Sequence, residues 1–506
     1  MTGIKQATSN VTHPPFPKQS IEQIETEIIP RLNQWALANG LVMVNSDLTP
    51  ADATVAPTTI YPTPIPLALY ETARSLQRDY NKLYAAVSKS DWLMKGGLEQ
   101  AAKSDPSFTG KLFEMARRCD SKQPLRMGLF RSDYLIDKNS NELKQVEFNT
   151  VAVSFAGLST KVGELHAFLN NSGAYDPSGK LLPFYESMTE LPVSESAVFM
   201  TRGIARGVSM YEPALGPDGK PGRKEQSLVV FMVEPNESNM YDQKLLEFNL
   251  LRLYGIQSIR LTLGEVFDEL EYSKADDKKR LIHRKSGREV AVVYFRTGYD
   301  TKDYEYAERS WEAREFLENS FAIKAPDLKL QLSGSKKIQQ LLTQDEIISL
   351  FVDETEAKRR LMRTFTKMYP LDPSSELGKK GRKIAMDPKA CKDYVLKPQR
   401  EGGGHNVYKE DIPKYLSELD EKDWDSYVLM ELIDARHCTD NYIVKAGKLI
   451  QEPIISELGI YGTILFNDDT IFFNEFAGSL LRSKVASSNE GGVVAGFGCI
   501  DSISIV

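Results

Sequence analysis

Apolar residues recur at helical spacing at Ile21, Ile24, Ile28, Leu32 and Trp35, and Gly40 follows where a helix is expected to stop. The spacing predicts an amphipathic helix packed on one face and kinked by Pro30. Five prolines between Pro50 and Pro66 then favour extended, polyproline-like backbone over either regular element. Leu67 to Val87 and Lys111 to Arg118 read as further helices, so the chain before Leu129 is expected to be helical scaffold.

At Leu129 the period changes. Arg131, Ser132, Asp133 and Tyr134 open one strand, a polar turn follows at Asn139 to Asn141, and Leu143 to Asn149 forms a second. Alternation along that second strand places Gln145, Glu147 and Asn149 on one face and Val146 and Phe148 on the other. A carboxylate and an amide two residues apart offer hard oxygen ligands, although a solvent-facing strand has the same pattern. The apolar run Val151 to Leu158, with Ser154 inside it, argues against open solvent there.

From about Gly203 to Asp327 strands alternate with helices. Ser227 to Val233, Ser258 to Leu263 and Val290 to Phe295 read as strands. Tyr241 to Tyr254 and Tyr304 to Phe321 read as helices, the first with Leu245, Phe248, Leu251 and Leu253 turned inward. This order predicts parallel βαβ units and a doubly wound sheet. Polar groups cluster at the carboxyl ends of its strands, where open α/β sheets bind small molecules: Glu237, Asn239 and Gln243 after the first, Arg296 and Tyr299 after the third. Neither GxGxxG nor GxxxxGK[ST] occurs, so a Rossmann dinucleotide site and a P-loop are both unsupported.

Further on, Lys336 opens a helical segment, a placement disfavoured for a cation unless an anion shares the site. Met362 to Asp387 reads as a polar connection. Tyr394 to Leu396 is an apolar strand from which Lys397 emerges, followed by Pro398, Gln399, Arg400, Glu401, Gly402, Gly403, Gly404, His405 and Asn406. Three glycines let backbone N–H groups approach phosphate, and Glu401 could bind the accompanying Mg²⁺; a mobile hairpin tip is the plainer alternative. Tyr427 to Ile433 is a strand with Met430, Glu431 and Ile433 at its end, as an adenine slot or a core strand would have. Ile454 to Gly459 carries Glu457. Leu481 to Gly496 carries Arg482, Lys484 and a second glycine-bearing loop, suited to closing over anions.

At 506 residues, two or three domains are expected. A net charge of -7 argues against a nucleic-acid surface, and no apolar run approaches the length of a membrane span. Cys119, Cys391, Cys438 and Cys499 are far apart and lack zinc-type spacing, which favours a reduced protein of the cytoplasm.

The stretch Lys397 to Asn406 closely resembles the glycine-rich loop of eukaryotic glutathione synthetases, which are ATP-grasp ligases. The resemblance continues through separate motifs from about Arg131 to the C-terminus. It implies an α/β fold of ATP-grasp architecture with an inserted doubly wound parallel-sheet substrate domain, a glycine-rich lid and N-terminal helices. The expected parts are residues 1–200 (helices and the start of the core), 201–330 (substrate domain) and 331–506 (core and lid).

The resemblance also implies roles. Metal ligands would be Glu147, Asn149 and Glu401, holding Mg²⁺ with ATP as cosubstrate. Nucleotide contacts would be Lys336, Lys397, Glu401, Gly402, Gly403, Gly404, Asn406, Tyr408, Met430, Glu431, Ile433, Glu457, Lys484 and Glu490. Substrate contacts would be Arg131, Ser154, Glu237, Asn239, Gln243, Arg296, Tyr299, Arg482, Val493 and Val494, with Arg482, Lys336 and Lys397 as the catalytic charges. The implied reaction joins γ-glutamylcysteine to glycine, and the family implies a homodimer. Departures from the family pattern are Ala152, His405, Glu490 and Val494. Val494 lies in the loop that distinguishes β-alanine-using relatives, so a homoglutathione-type ligase is the alternative enzyme. A silent nucleotide-binding protein is the alternative of another class. Both glycine loops are expected to be mobile without ligands.

Overall fold

The computed structural model describes residues 14–44, 52–187, 189–214, 222–399, 405–489, 491–493 and 496–506. Arg400, Glu401, Gly402, Gly403, Gly404, Glu490, Val494 and Ala495 lie outside the described residues, and with them the three glycines of the first loop.

The N-terminal helix forms as its spacing predicts, with Ile24, Ile28 and Leu32 buried. Its irregularity takes the form of a π-helical turn, Ile24–Ile28, just before α1 (Ile29–Asn39), whose second residue is Pro30. Gly40 closes it in the left-handed conformation. The proline-rich stretch departs from its reading: Thr54–Val55, β1 (Thr58–Thr59) and Thr63–Ile65 are short strands, the first two keeping the N–H groups a ladder needs and the third carrying Pro64 in a two-stranded edge pairing with Ile503–Ile505. Next come α2 (Leu67–Lys89) and α3 (Thr109–Arg118). They are followed by β2 (Arg126–Ile136), β3 (Leu143–Asn149) and α4 (Ala156–Asn171).

The alternating region supplies β4 (Leu228–Met232), α5 (Met240–Tyr254), β5 (Ser258–Leu261), β6 (Arg288–Phe295) and β7 (Ile323–Ala325). These four strands pair in parallel, with β4 and β6 adjacent. The sequence reading lacked β7 and the antiparallel hairpin Leu270–Tyr272 and Leu281–His283 on the edge of β6. It also began the following helix too early, at Tyr304 rather than in Ser310–Asn319. The inward face of α5 is not the one expected. Leu246 and Leu250 are buried, whereas Phe248, Leu251, Leu253 and Tyr254 face solvent. Apolar residues line both sides of this helix, so periodicity could not choose between them.

The C-terminal part contributes α6 (Lys336–Leu342), β8 (Met368–Pro370), α7 (Glu376–Met386), β9 (Tyr394–Pro398), β10 (Val407–Tyr408) and β11 (Tyr427–Glu431). The segment read as a polar connection thus holds β8 and α7; the helix has glycine at Gly378 and Gly381 because a Cβ there would strike backbone oxygens of Asp372 and Pro370. In the described residues β8, β11, β9 and β10 form an antiparallel sheet of four strands in that order. The chain ends with a long hairpin, β12 (Ile454–Phe466) and β13 (Ile471–Val485), and β14 (Gly498–Asp501). In the large sheet the order β1, β14, β13, β12, β2, β3 sets β1, from the first part of the chain, beside β14 from the last. One main core joins α2 to this sheet and to the parallel strands, and a second packs α1 and α4 against the same strands.

Candidate active site

β3 carries a bulge that corrects the expected face. Asp133 pairs with Glu147 but the next residue, Tyr134, pairs with Gln145, leaving Val146 as the extra residue. Cross-strand partners share a face, so Gln145 joins Tyr134 in the core, while Glu147 and Asn149 line a cleft together with Arg131, on the face they share with the buried Asp133. Gln145 is buried with neither amide atom hydrogen-bonded among the described residues. Val146 leaves the core for the cleft wall, while Phe148 stacks on Tyr84 at 4.0 Å.

The cleft, of about 1710 Å³, lies between this face of the large sheet, the small antiparallel sheet and the carboxyl ends of β4 and β6. It exceeds the 300–1,000 Å³ common for a single small ligand and has room for several. Of the metal, nucleotide and substrate contacts that the resemblance implies and that fall among the described residues, only Lys336 and Gln243 do not line it. Both sit one layer behind: Lys336 Nζ donates to Glu147 Oε2 at 2.8 Å, and Gln243 donates to Glu237 while accepting from Arg260 at 2.9 Å.

Burial alone would raise the Glu147 carboxyl, but the ammonium groups of Lys336 and Lys397 outweigh it and hold the group well below the usual carboxylate range. Lys397, at the end of β9, also reaches Val146 O at 3.4 Å. The Asn149 amide nitrogen donates to Asp133 Oδ2 at 2.9 Å and to Arg131 O at 3.3 Å. Its oxygen therefore turns away from the carboxylate, and with Glu147 it gives two hard donors of the kind a small divalent cation takes. Among the described residues no group of three metal-ligating side chains occurs; Glu401, the third expected donor, lies outside them.

On β12 and β13, Glu457 and Arg482 are cross-strand partners and hydrogen-bonded, and Arg482 also reaches Asp133 Oδ2 at 3.0 Å. Burial pushes the Glu457 carboxyl up, and the Arg482 charge only partly offsets this. Lys484 Nζ donates to Asn489 O at 2.7 Å, and Val493 is buried in the cleft wall. At the opposite wall Met430, Met368 and Val395 form a small apolar cluster with Tyr408, beside Ile433, and Asn406 donates to the Tyr408 hydroxyl at 3.2 Å. Glu431 pairs with Lys367 at 2.8 Å.

At the end of β6, Arg296 donates to Val153 O and, at 2.8 Å, to Ser154 Oγ. The turn holding Ser154 is strained, with Ala152 and Phe155 at positive φ. Asp242 holds it, accepting the N–H groups of Phe155 and Gly157 at 2.7 Å and of Leu158 at 3.1 Å. Sequence reading passed over Asp242. It also passed over Glu234, which accepts from the Tyr299 hydroxyl, and Asp133, which shares its strand face with Arg131 and could have been found by that alternation. His405 stands 3.6 Å from Asp300.

With this geometry described, comparison with known proteins decides the family. The family model described as eukaryotic glutathione synthase, ATP binding domain, matches residues 22–505. The chain belongs to the eukaryotic glutathione synthetase family. The glutathione synthetase large chain of Schizosaccharomyces pombe is 35% identical over 510 residues, covering 96% of this chain and 99% of that one. Human glutathione synthetase is 33% identical, covering 96% and 97%, and the chloroplastic glutathione synthetase of Arabidopsis thaliana is 33% identical, covering 96% and 87%. A glutathione synthetase-like effector of Globodera pallida has the same fold, with a TM-score of 0.74 at 21% identity over 98% of this chain and all of that one.

Proposed function

We propose that the chain is a glutathione synthetase, ligating γ-glutamylcysteine to glycine at the expense of ATP in the second step of glutathione synthesis. The observation that carries this is the single cleft into which separate motifs converge: a Lys- and Glu-bearing phosphate end, an apolar slot and an Arg- and Ser-bearing end at the strand termini. The architecture is read as ATP-grasp, with the antiparallel sheet and the large sheet gripping nucleotide and the parallel-sheet region of 201–330 binding peptide.

Lys397 and Lys484 would hold the phosphates, with the Lys336 charge behind Glu147 adding to their field, while Met430, Ile433 and Tyr408 would enclose adenine and Glu431 and Glu457 add polar contacts. Arg131, Ser154, Glu237, Asn239, Arg296 and Tyr299 would hold γ-glutamylcysteine, with Gln243 supporting Glu237 from behind. Glu147 and Asn149, with Glu401, would hold Mg²⁺, which supplies charge neutralisation on the phosphates. The cysteinyl carboxylate oxygen then forms a bond to the γ-phosphorus as the bond to ADP breaks. The amine of glycine next attacks the acyl phosphate carbon, and inorganic phosphate leaves with one carboxylate oxygen. Arg482 would balance the negative charge at the carboxylate, and a donor of this kind is worth about 3–4 kcal/mol of barrier. Holding the reactants in line contributes about 7–11 kcal/mol.

The test of this chemistry is oxygen transfer: with ¹⁸O in the cysteinyl carboxylate, one label per turnover should appear in inorganic phosphate. Label-free phosphate would exclude the acyl phosphate. We also propose a homodimer in the cytoplasm. The four exposed apolar residues of α5 and the four free cysteines support these two readings. Among the described residues no helix is long and apolar enough to cross a membrane.

A further inference from the structure

We infer that Asp133 is the positioning residue that locks the peptide-binding arginine, the metal-facing amide and Arg482 into one unit. The inference rests on the site assignment proposed above. Asp133 does not line the cleft and its side chain is completely buried. A carboxylate offers about four lone-pair positions. Here Oδ1 accepts Arg131 Nε at 2.6 Å, and Oδ2 accepts Arg131 Nη2 at 2.8 Å, Asn149 Nδ2 at 2.9 Å and Arg482 Nη2 at 3.0 Å. All four donors come from protein and the carboxylate has no access to the cleft, so it acts on substrate only through the groups it holds.

An ion pair that merely stabilised β2 would need Arg131 alone. The other two donors come from β3 and β13 and belong to groups assigned to different ligands. Arg482 reaches across β12 because the residue opposite Asp133 there is Gly459. A Cβ at that position would lie 2.9 Å from Asp133 Oδ1 and 3.0 Å from Arg131 Cδ, closer than side chains tolerate. Gly459 is therefore the space in which the three-way junction forms. The bond from Asn149 Nδ2 also fixes which amide atom faces the cleft, so the orientation of a metal donor depends on a carboxylate that never meets the metal.

The test uses the full-length protein as Asp133→Asn and, separately, as Gly459→Ala, which displaces the junction while keeping every charge. Each variant should raise the Mg²⁺ concentration for half-maximal activity and the KM for γ-glutamylcysteine together, by about 10- to 100-fold as for other residues behind a metal site. The affinity for ADP measured without metal should stay within twofold. A folded variant in which both midpoints stay put, with only kcat or thermal stability reduced, overturns the inference; should Asp133→Asn fail to fold, Gly459→Ala decides it. Arg131→Ala and Asn149→Ala separate the two layers. If these leave the peptide KM and the Mg²⁺ midpoint unmoved, the site assignment falls; if they move them and the junction variants do not, only the role of Asp133 falls.

Discussion

Replacing Lys336 by Met removes an ammonium that is 5% exposed and 2.8 Å from Glu147. At an effective dielectric of about 20, that separation corresponds to about 6 kcal/mol of attraction. Desolvation of both groups offsets part of it, and removing one partner of a fully buried pair costs about 3–5 kcal/mol; Lys397 stays beside Glu147, which also reaches the cleft, so the loss is expected at or below the low end of that range. Glu147→Gln in the Lys336→Met background should restore much of that loss, since the stranded carboxylate is gone. The pair's stability also has a definite pH window. The Glu147 carboxyl is depressed in the folded chain, so the stabilisation is complete above the ordinary carboxylate range and disappears as pH falls towards the folded value. Urea unfolding of the wild type, both single variants and the double variant at pH 7 and pH 4 measures this directly. A loss below about 1 kcal/mol for Lys336→Met at pH 7, or a double variant no more stable than Lys336→Met, would refute the coupling. Ligase activity should fall in all three variants, because the double change repairs charge balance but leaves the phosphates and metal without their partners.

Three further outcomes follow from particular side chains. Burial pushes the Asp501 carboxyl up to about 6 despite hydrogen bonds from Ser483, Thr59, Thr63 and the Ser502 N–H. Its raised folded value means the stability it contributes is present below the ordinary Asp range and lost as pH rises through 6. The stability of the wild type relative to Asp501→Asn should therefore fall by about 2 kcal/mol between pH 4 and pH 7, and parallel stability curves would contradict this. Gln145→Met should stabilise the protein by about 1–3 kcal/mol in urea unfolding, because it removes a buried amide whose two polar atoms are unpaired; destabilisation would show that the amide is satisfied. Gly334→Ala should cost about 1–3 kcal/mol and reduce activity, since its Cβ would lie 2.3 Å from Thr150 Oγ1 at the entry to α6 and Lys336; an unchanged enzyme would show that this contact yields freely.

The parts of the fold legible in the sequence were those with one dominant period. The helix ending at Gly40, the strands β4, β6 and β9 and the polar groups at their carboxyl ends all carry unmixed patterns. Three kinds of feature escaped. The bulge at Val146 is a register event between β2 and β3, and a strand read alone gives no sign that Gln145 will turn inward. Helix α5 has apolar residues on both sides, so the choice of Leu246 and Leu250 for the core depends on which neighbours pack there. Strands of two or three residues such as β1 and β8 exist only because a longer partner supplies the ladder, as β11 does for β8.

The site shows the same division. Lys397, Glu147, Asn149 and Arg482 stand out by residue type beside apolar runs. Asp133, Glu234 and Asp242 do not, because each works by holding another side chain or a backbone turn, and that partnership spans 16 to 349 residues of sequence for Asp133 with Asn149 and Arg482. A carboxylate whose partners arrive from distant strands looks, in sequence, like any other polar residue on a strand.

Ligation is read out by measuring ADP release and peptide product together, with Mg-ATP and γ-glutamylcysteine, adding glycine, β-alanine or no acceptor. ADP formation should depend on both γ-glutamylcysteine and glycine, with one glutathione formed per ADP and little turnover without acceptor. Preference for β-alanine would reassign the acceptor, and folded, ATP-binding protein that releases no substrate-dependent ADP would contradict the ligase.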